Sequence, residues 1–457
     1  MKPKAESVLA GKRIRVHVLG CRSNLYEAEA ISSALSQKGA VPCEGGAFDG
    51  AIVVSCVVTA EAERKCRQLV RRLKREEPAA PVVVCGCWAQ LLDEKKAREM
   101  GINAIVGNRR KHRVAAVVEK LFEERVPPVL FTDRADISAS PSWDSLLLES
   151  ARFHVRAFVK VQDGCDHHCT YCIIPSVRGA SVSRNPREVL SEIRNLASHG
   201  IREVVLTGIH LGLYGKNNDF SLVKLVKAVE DVDGIDRIRF GSIEPFGLDE
   251  KLLEGLAESD KFCPHLHIPL QSGDDEILRR MGRGYRGRDF IALSKKARKI
   301  LGEDLHISTD VIVGFPGEDK NAFLRTMDVL ESAGVGRIHA FPFSPRQGTP
   351  AAEFPERPDP GKVKERMKEI LDFAAASQHR YASPFVGKNL PILVEKCESG
   401  FVSGYTPHYV RVNAEGSFSV NGVAEVAMTN CRAGILHGRV CYNAHSGSAG
   451  EIRVEKE

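Results

Sequence analysis

Along the first part of the chain, short apolar runs alternate with stretches whose apolar positions recur every three or four residues. "RIRVHVLGC" alternates apolar and polar positions and ends at Cys21, "AIVVSCVVT" is a continuous run containing Cys56, "PVVVCGCWAQ" is another reaching Cys87, and "INAIVGN" is a weaker fourth. Helical stretches lie between them: "YEAEAISSALSQKG", "AEAERKCRQLVRRLKREE" and "LLDEKKAREM". Apolar runs separated by helices predict a doubly wound parallel sheet over residues 1–125. Ligands of such sheets bind at the carboxyl ends of the strands. Cys21, Cys56 and Cys87 each sit at one, so three distant cysteines are placed to converge.

Residues 126–150, with "VPPVLFTDRADISASPSW", show neither period and read as a linker. From 151 to 383 the alternation resumes, with strands expected at "HVRAFVKVQDG", "REVVLTGIH", "DRIRFGSIEP", "HLHIPLQS", "LHISTDVIVGF" and "GRIHAFPFSP". Six parallel β/α units predict an incomplete, TIM-like (β/α)6 barrel, active at the strand C-termini. Residues 384–445 change character: "GKNLPILVEK", "GFVSGYT", "HYVRVNAEG" and "GRVCYNA" are short strand-like pieces between turns, as in a small β-barrel, with 446–457 a tail.

A length of 457 residues exceeds one ordinary core, and 43% apolar with 27% charged residues is the composition of a soluble globular protein. No apolar run is long enough for a transmembrane helix, and the basic N-terminus lacks a signal core, so a cytoplasmic location without membrane contact is expected. Thirteen cysteines in a reducing compartment favour metal or redox chemistry over disulfides. A net charge of +6 permits a nucleic-acid partner.

The densest cysteine group is "GCDHHCTYCIIPSVRG", where Cys165, Cys169 and Cys172 have C-x3-C-x2-C spacing just after the first barrel strand. Three thiolates suit three corners of a [4Fe–4S] cube, leaving the fourth iron open to a small molecule. The alternatives are buried thiols or a zinc site completed by His167 or His168. With Tyr171 between the last two cysteines, the motif resembles the radical S-adenosylmethionine (SAM) signature. That resemblance implies SAM bound through the open iron and cleaved by an electron from the cluster, giving a radical able to open an unactivated C–H bond.

The N-terminal trio resembles the cluster domain of the methylthiotransferases in "LGCRSNLYEAEA", "SCVVTAEAERKCRQ" and "GCWAQ". This implies a second [4Fe–4S] cluster on Cys21, Cys56 and Cys87, facing the first across a shared cavity. Cys85 is a rival ligand, which alternation would put on the same sheet face as Cys87; spacing does not separate them, and the family's GC-x-A-Q pattern selects Cys87. Where the family has Asn-Thr before the middle cysteine, this chain has Val54 and Ser55. Cys43, Cys66, Cys263, Cys397, Cys431 and Cys441 have no ligand spacing and read as ordinary thiols.

The resemblance further implies SAM contacts from Tyr171, from Thr207 and Gly208 in "LTGIH", and from Ser242 and Glu244 in "GSIEP". It adds Gln271 in "PLQSG" and Ile312, Gly314 and Glu318 in "DVIVGFPGE". The last domain resembles the TRAM module, an OB-like RNA-binding barrel, with Tyr405, His408, Tyr409 and Arg411 on one stretch. The basic runs "ERKCRQLVRRLKRE", "GNRRKHR" and "RRMGRGYRGR" are solvated helix faces or phosphate contacts.

"VLTGIHLGLYG" and "VKVQDGCDHHC" resemble the branch acting on N6-threonylcarbamoyladenosine beside the tRNA anticodon, implying conversion to its 2-methylthio form with a second SAM as methyl donor. An electron donor such as flavodoxin or ferredoxin is implied as well. "IPSVRG" resembles the branch that modifies a ribosomal-protein aspartate, and Ala180 and Val182 stand where basic residues are common. The other readings are the isopentenyladenosine branch and, from another class, an RNA-binding iron–sulfur electron carrier or sensor.

Overall fold

In the computed structural model, which describes residues 7–123, 130–139, 142–149, 155–216 and 220–441, the apolar runs become strands as their pattern requires. The N-terminal sheet contains β1 (Arg13–Val18), β2 (Val41–Pro42), β3 (Gly50–Ser55), β4 (Val82–Gly86), β5 (Ala104–Val106) and β6 (Phe131–Asp133). They run parallel in the order β2-β1-β3-β4-β5-β6. Helix α1 (Arg22–Gln37) covers one face and α2 (Ala60–Glu76) the other. The spacing of Cys66, Val70 and Leu73 gives α2 a single buried stripe, packed with Val53 and Val84, and each such side chain contributes about 1.5–3 kcal/mol. Thr59 caps this helix by accepting the Ala62 N–H at 3.1 Å.

The expected linker is partly built into the fold. Phe131–Asp133 extends the sheet as β6, and Leu146 and Leu148 are buried. The Tyr26 hydroxyl donates to the Leu146 carbonyl at 2.8 Å, and the Leu148 N–H donates to Glu192 at 2.9 Å. Each of these partners is far away in sequence, so no local period records them.

The second half of the same unit is the expected partial barrel: β7 (Ala157–Asp163), β8 (Val182–Ser183), β9 (Glu203–Gly208), β10 (Arg237–Phe240), β11 (His265–His267), β12 (His306–Val313) and β13 (Arg337–Pro342). The parallel strands follow the order β7-β9-β10 and β11-β12-β13, with single bridges Ile238↔Phe262 and Ser242↔His267 joining the two arcs. Only β8 runs antiparallel, beside β7. The first helix of the chain, α1, is buried between its own sheet and β7, so one core serves both α/β parts.

The chain divides into two compact units, Met1–Ser377 and Gln378–Glu457. The smaller unit contains β14 (Asn389–Glu398), β15 (Phe401–Tyr405), β16 (Arg411–Glu415), β17 (Val423–Arg432) and β18 (Ile435–Val440), closed in the order β14-β15-β16-β18-β17. The alternation in β17 rests on inward-facing Ala424, Val426 and Met428, of which only Val426 has a strong strand preference, and the sequence reading passed over it. The tail expected at 446–457 lies outside the described residues.

Candidate active site

A cavity of about 310 Å3 opens at the mouth of the partial barrel. Its wall brings together Cys165, Cys169, Cys172, Tyr171, Gly208, Ser242, Glu244, Gln271 and Ile312. The cysteine loop is pinned at several points: the Cys165 N–H donates to the Gly179 carbonyl and the Cys172 N–H to the Cys169 carbonyl, both at 3.0 Å. Thr170 donates through its N–H to the Met281 carbonyl at 3.0 Å and through its hydroxyl to the Arg280 carbonyl at 2.8 Å.

Gly164 precedes the motif with φ +73, and a Cβ there would lie 2.1 Å from the Ala180 carbonyl oxygen. The left-handed conformation alone costs a side chain about 1–2 kcal/mol. Gly164→Ala is therefore expected to lower both the melting temperature and the iron bound after anaerobic reconstitution. Full iron loading with unchanged melting would show that the loop tolerates the side chain.

Burial pushes the Cys165 thiol up to about 11 and the Cys172 thiol up to about 12, and the neighbouring cysteines push in the same direction. Such thiols ionise beside a cation, which is what iron provides, so the donor set fits the cluster. Among the described residues no three His, Cys, Asp or Glu side chains are arranged to hold a single metal ion.

Sequence reasoning missed Arg283, which it read only as part of a basic run. This buried guanidinium donates to the Cys169 sulfur at 3.4 Å, to the Tyr285 hydroxyl at 3.1 Å and to the Glu244 carboxylate. It also missed His210, held in a left-handed turn (φ 54) with its Nδ1 3.8 Å from the Cys165 sulfur. Burial, aided by His167 and Arg283, lowers His210 to about 4, so the ring is neutral at ordinary pH. Gln271 also has positive φ, 68, a strained conformation at the cavity wall.

Three expected residues are not among those that line the cavity. Thr207 is buried against Gly241, whose Cβ would sit 2.7 Å from its hydroxyl. Gly314 packs against Val363, leaving no room for a Cβ, which would approach that side chain to 2.6 Å. Glu318 accepts from the Gly314 N–H at 3.0 Å and from Arg366 at 2.7 Å, fixing the turn.

The N-terminal trio also converges. A Cβ on Gly20 would lie 2.9 Å from the Cys56 sulfur, so glycine lets the Cys21 loop rest on Cys56. Burial pushes Cys56 up to about 12, with further upward pushes from Cys21 and Cys87. Cys85 takes a different direction. It points from β4 into the core with Val54 and Val83, whereas Cys87 opens the helix α3 (Cys87–Leu91) and packs with Trp88 and Val177. Alternation does not carry through because Gly86, at φ 93, turns the chain between them. Ser55, one of the two departures from the family pattern, donates to the Cys85 carbonyl at 2.5 Å and accepts from the Ala89 N–H at 3.2 Å. Val58 and Thr59, from the loop that follows Cys56, line the barrel-mouth cavity; Cys21, Cys56 and Cys87 are not among its lining residues.

Residues 159–330 match the radical SAM superfamily model, and residues 13–107 match a model described as uncharacterized protein family UPF0004. The threonylcarbamoyladenosine tRNA methylthiotransferase MtaB of Thermotoga maritima is 34% identical over 94% of this chain and 99% of that protein. This chain belongs to the radical SAM methylthiotransferase family. A second MtaB, from Bacillus subtilis, is 34% identical over 90% of this chain and 92% of its own length. A tRNA-2-methylthio-N(6)-dimethylallyladenosine synthase from Parafrankia sp. is 32% identical over 85% of this chain and 79% of its own. In fold, the radical SAM methyltransferase TsrM of Kitasatospora setae superposes with a TM-score of 0.53 at 14% identity, covering 75% of this chain and 74% of that one. As a radical SAM methylthiotransferase the protein is a transferase, and its family implies SAM and a [4Fe–4S] cluster. Among the described residues no helix is long and apolar enough to cross a membrane.

Proposed function

We propose that this methylthiotransferase converts N6-threonylcarbamoyladenosine, next to the anticodon of tRNA, to its 2-methylthio form, using two [4Fe–4S] clusters. The carrying observation is the nearly full-length match to relatives named for that reaction. When bound, the cluster on Cys165, Cys169 and Cys172 together with SAM supplies the one-electron chemistry that an unactivated C–H bond requires. The chain's own residues prepare the place for it. Arg283 holds Glu244 and the Cys169 sulfur in one orientation, and Phe246 with His167 and His210 forms an aromatic side of the cavity that limits water. Cys21, Cys56 and Cys87 would present the sulfur.

Two features support an RNA substrate. Helix α2 starts at the cavity rim, where the Ala60 N–H donates to Ser344, and carries exposed Arg71, Arg72 and Arg75 away from it. In the C-terminal barrel, Tyr405 and Tyr409 stack with ring centroids 4.9 Å apart and are half-buried, a surface suited to unstacked bases, while His408 is buried against Phe385.

Nucleoside mass spectrometry of tRNA from a deletion strain tests the substrate. The expected result is loss of 2-methylthio-N6-threonylcarbamoyladenosine, accumulation of its unthiolated precursor, and restoration by this gene. The match to the dimethylallyladenosine enzyme favours a second reading; loss of the methylthio-isopentenyl nucleoside instead would replace the first with it.

A further inference from the structure

Six charged side chains are buried together where the N-terminal sheet meets the partial barrel: Glu27, Lys111, Asp144, Lys160, Asp163 and Arg178. Glu27 accepts from Lys111 at 2.8 Å, Lys160 at 2.9 Å and Arg178 at 3.0 Å, and Asp163 accepts from Arg178 at 2.8 Å. Two of the cations reach past these carboxylates toward the N-terminal cysteines. Arg178 donates to the Asn24 side-chain oxygen at 2.9 Å, and the Asn24 amide donates to the Leu19 carbonyl at 2.7 Å and the Ser55 carbonyl at 3.1 Å, beside Cys21 and Cys56. Lys111 donates to the Asn108 oxygen at 2.7 Å, and the Asn108 amide donates to the Cys87 sulfur at 3.5 Å. Two asparagines thus tie all three cysteine loops to buried positive charge.

Arg178 is the stronger of the two links. Through Asn24 it reaches the backbone of both the Cys21 and the Cys56 loops, and its side chain is fully buried. Although the guanidinium is fully buried, its Nε has no acceptor among the described residues. An orphaned buried N–H is costly, and anionic sulfur beside it would satisfy it.

We propose that Arg178 is a positioning residue for the N-terminal trio, holding the Cys21 and Cys56 loops through Asn24 and stabilising the extra negative charge of an iron–sulfur cluster reduced there. The inference rests on the two-cluster reading above. A fixed cation in a buried site favours the reduced, more negative form and so raises the midpoint potential. Arg178 ends the short helix Ile174–Arg178 that follows Cys172, so one segment carries both the cavity's cysteines and the cation that serves the other trio.

The test uses full-length protein with Cys165, Cys169 and Cys172 all changed to alanine, reconstituted anaerobically and titrated potentiometrically by electron paramagnetic resonance. Adding Arg178→Met should leave iron content unchanged and reduce the reduced-to-oxidised ratio at fixed potential about tenfold, equal to about 59 mV for one electron. Arg178→Lys, which keeps the charge, should restore most of that loss. An unchanged midpoint in the methionine variant overturns the inference, whereas a triple-alanine protein without iron overturns the two-cluster reading along with it. Should Arg178→Met not fold, Asn24→Ala carries the test: a lower midpoint is expected, and an unchanged one is decisive against.

Discussion

Cys165→Ala is expected to abolish SAM cleavage, while Cys56→Ala is expected to leave cleavage intact and stop sulfur insertion. This division follows from where the two thiols stand. Cys165 is part of the cavity wall with Glu244, Gln271 and Ile312, which in the proposed function is the site that takes SAM. A cluster held by three thiolates has no spare protein ligand, and losing one removes the anchor for the open corner. Cys56 and Cys87 are buried and, like Cys21, are not among the residues of that wall, and removal of the Cys56 thiol opens a small void beside Gly20 without touching the cavity's cysteines. The measurements are 5′-deoxyadenosine released under strong reductant and methylthiolated nucleoside formed, both by mass spectrometry. The alanine variant of Cys165 should show background levels of both products, that of Cys56 only of the second. Cleavage persisting in the first variant, or disappearing in the second, would end this assignment of roles.

Much of this arrangement was legible in the chain because strands buried on both faces leave continuous apolar runs, and Cys21, Cys56 and Cys87 each stand at the end of a strand. The spacing at Cys165, Cys169 and Cys172 is local and was read directly. Long-range contacts were not legible. Arg283 reaches Cys169 and Glu244 only because separate strand ends of the barrel meet at one mouth, and nothing near it in sequence distinguishes it from the other arginines of "RRMGRGYRGR". The choice of Cys87 over Cys85 depended on one backbone angle at Gly86. Thr207, Gly314 and Glu318 lie at or after strand ends as expected, but their contacts with Gly241, Val363 and Arg366 come from distant parts of the chain and leave no local period.

Glu27→Gln should cost the larger unit about 3–5 kcal/mol, the range for removing one member of a buried ion pair. The carboxylate is buried between three cations at 2.8, 2.9 and 3.0 Å, and neutralising it leaves Lys111, Lys160 and Arg178 facing only Asp144 and Asp163. Glutamine keeps the shape, so the loss is electrostatic rather than a cavity. Scanning calorimetry of the iron-free protein reads it without interference from cluster loss, as a fall in melting temperature of roughly 5–15 °C. The pH dependence gives the sign. Burial alone would raise the Glu27 carboxyl, but Arg178, Lys111 and Lys160 together outweigh it and hold the group below the usual carboxylate range. A depressed carboxyl contributes its full stabilisation above its unfolded value, about 4.3, and loses it as pH falls toward the folded one. The gap between wild type and variant should therefore be constant from pH 5 to 8, taken as about the neutral range, and narrow progressively below about pH 4. A variant as stable as wild type at neutral pH would mean that Asp144 and Asp163 alone neutralise the three cations, and a gap that persists unchanged in acid would locate the loss in packing instead of charge.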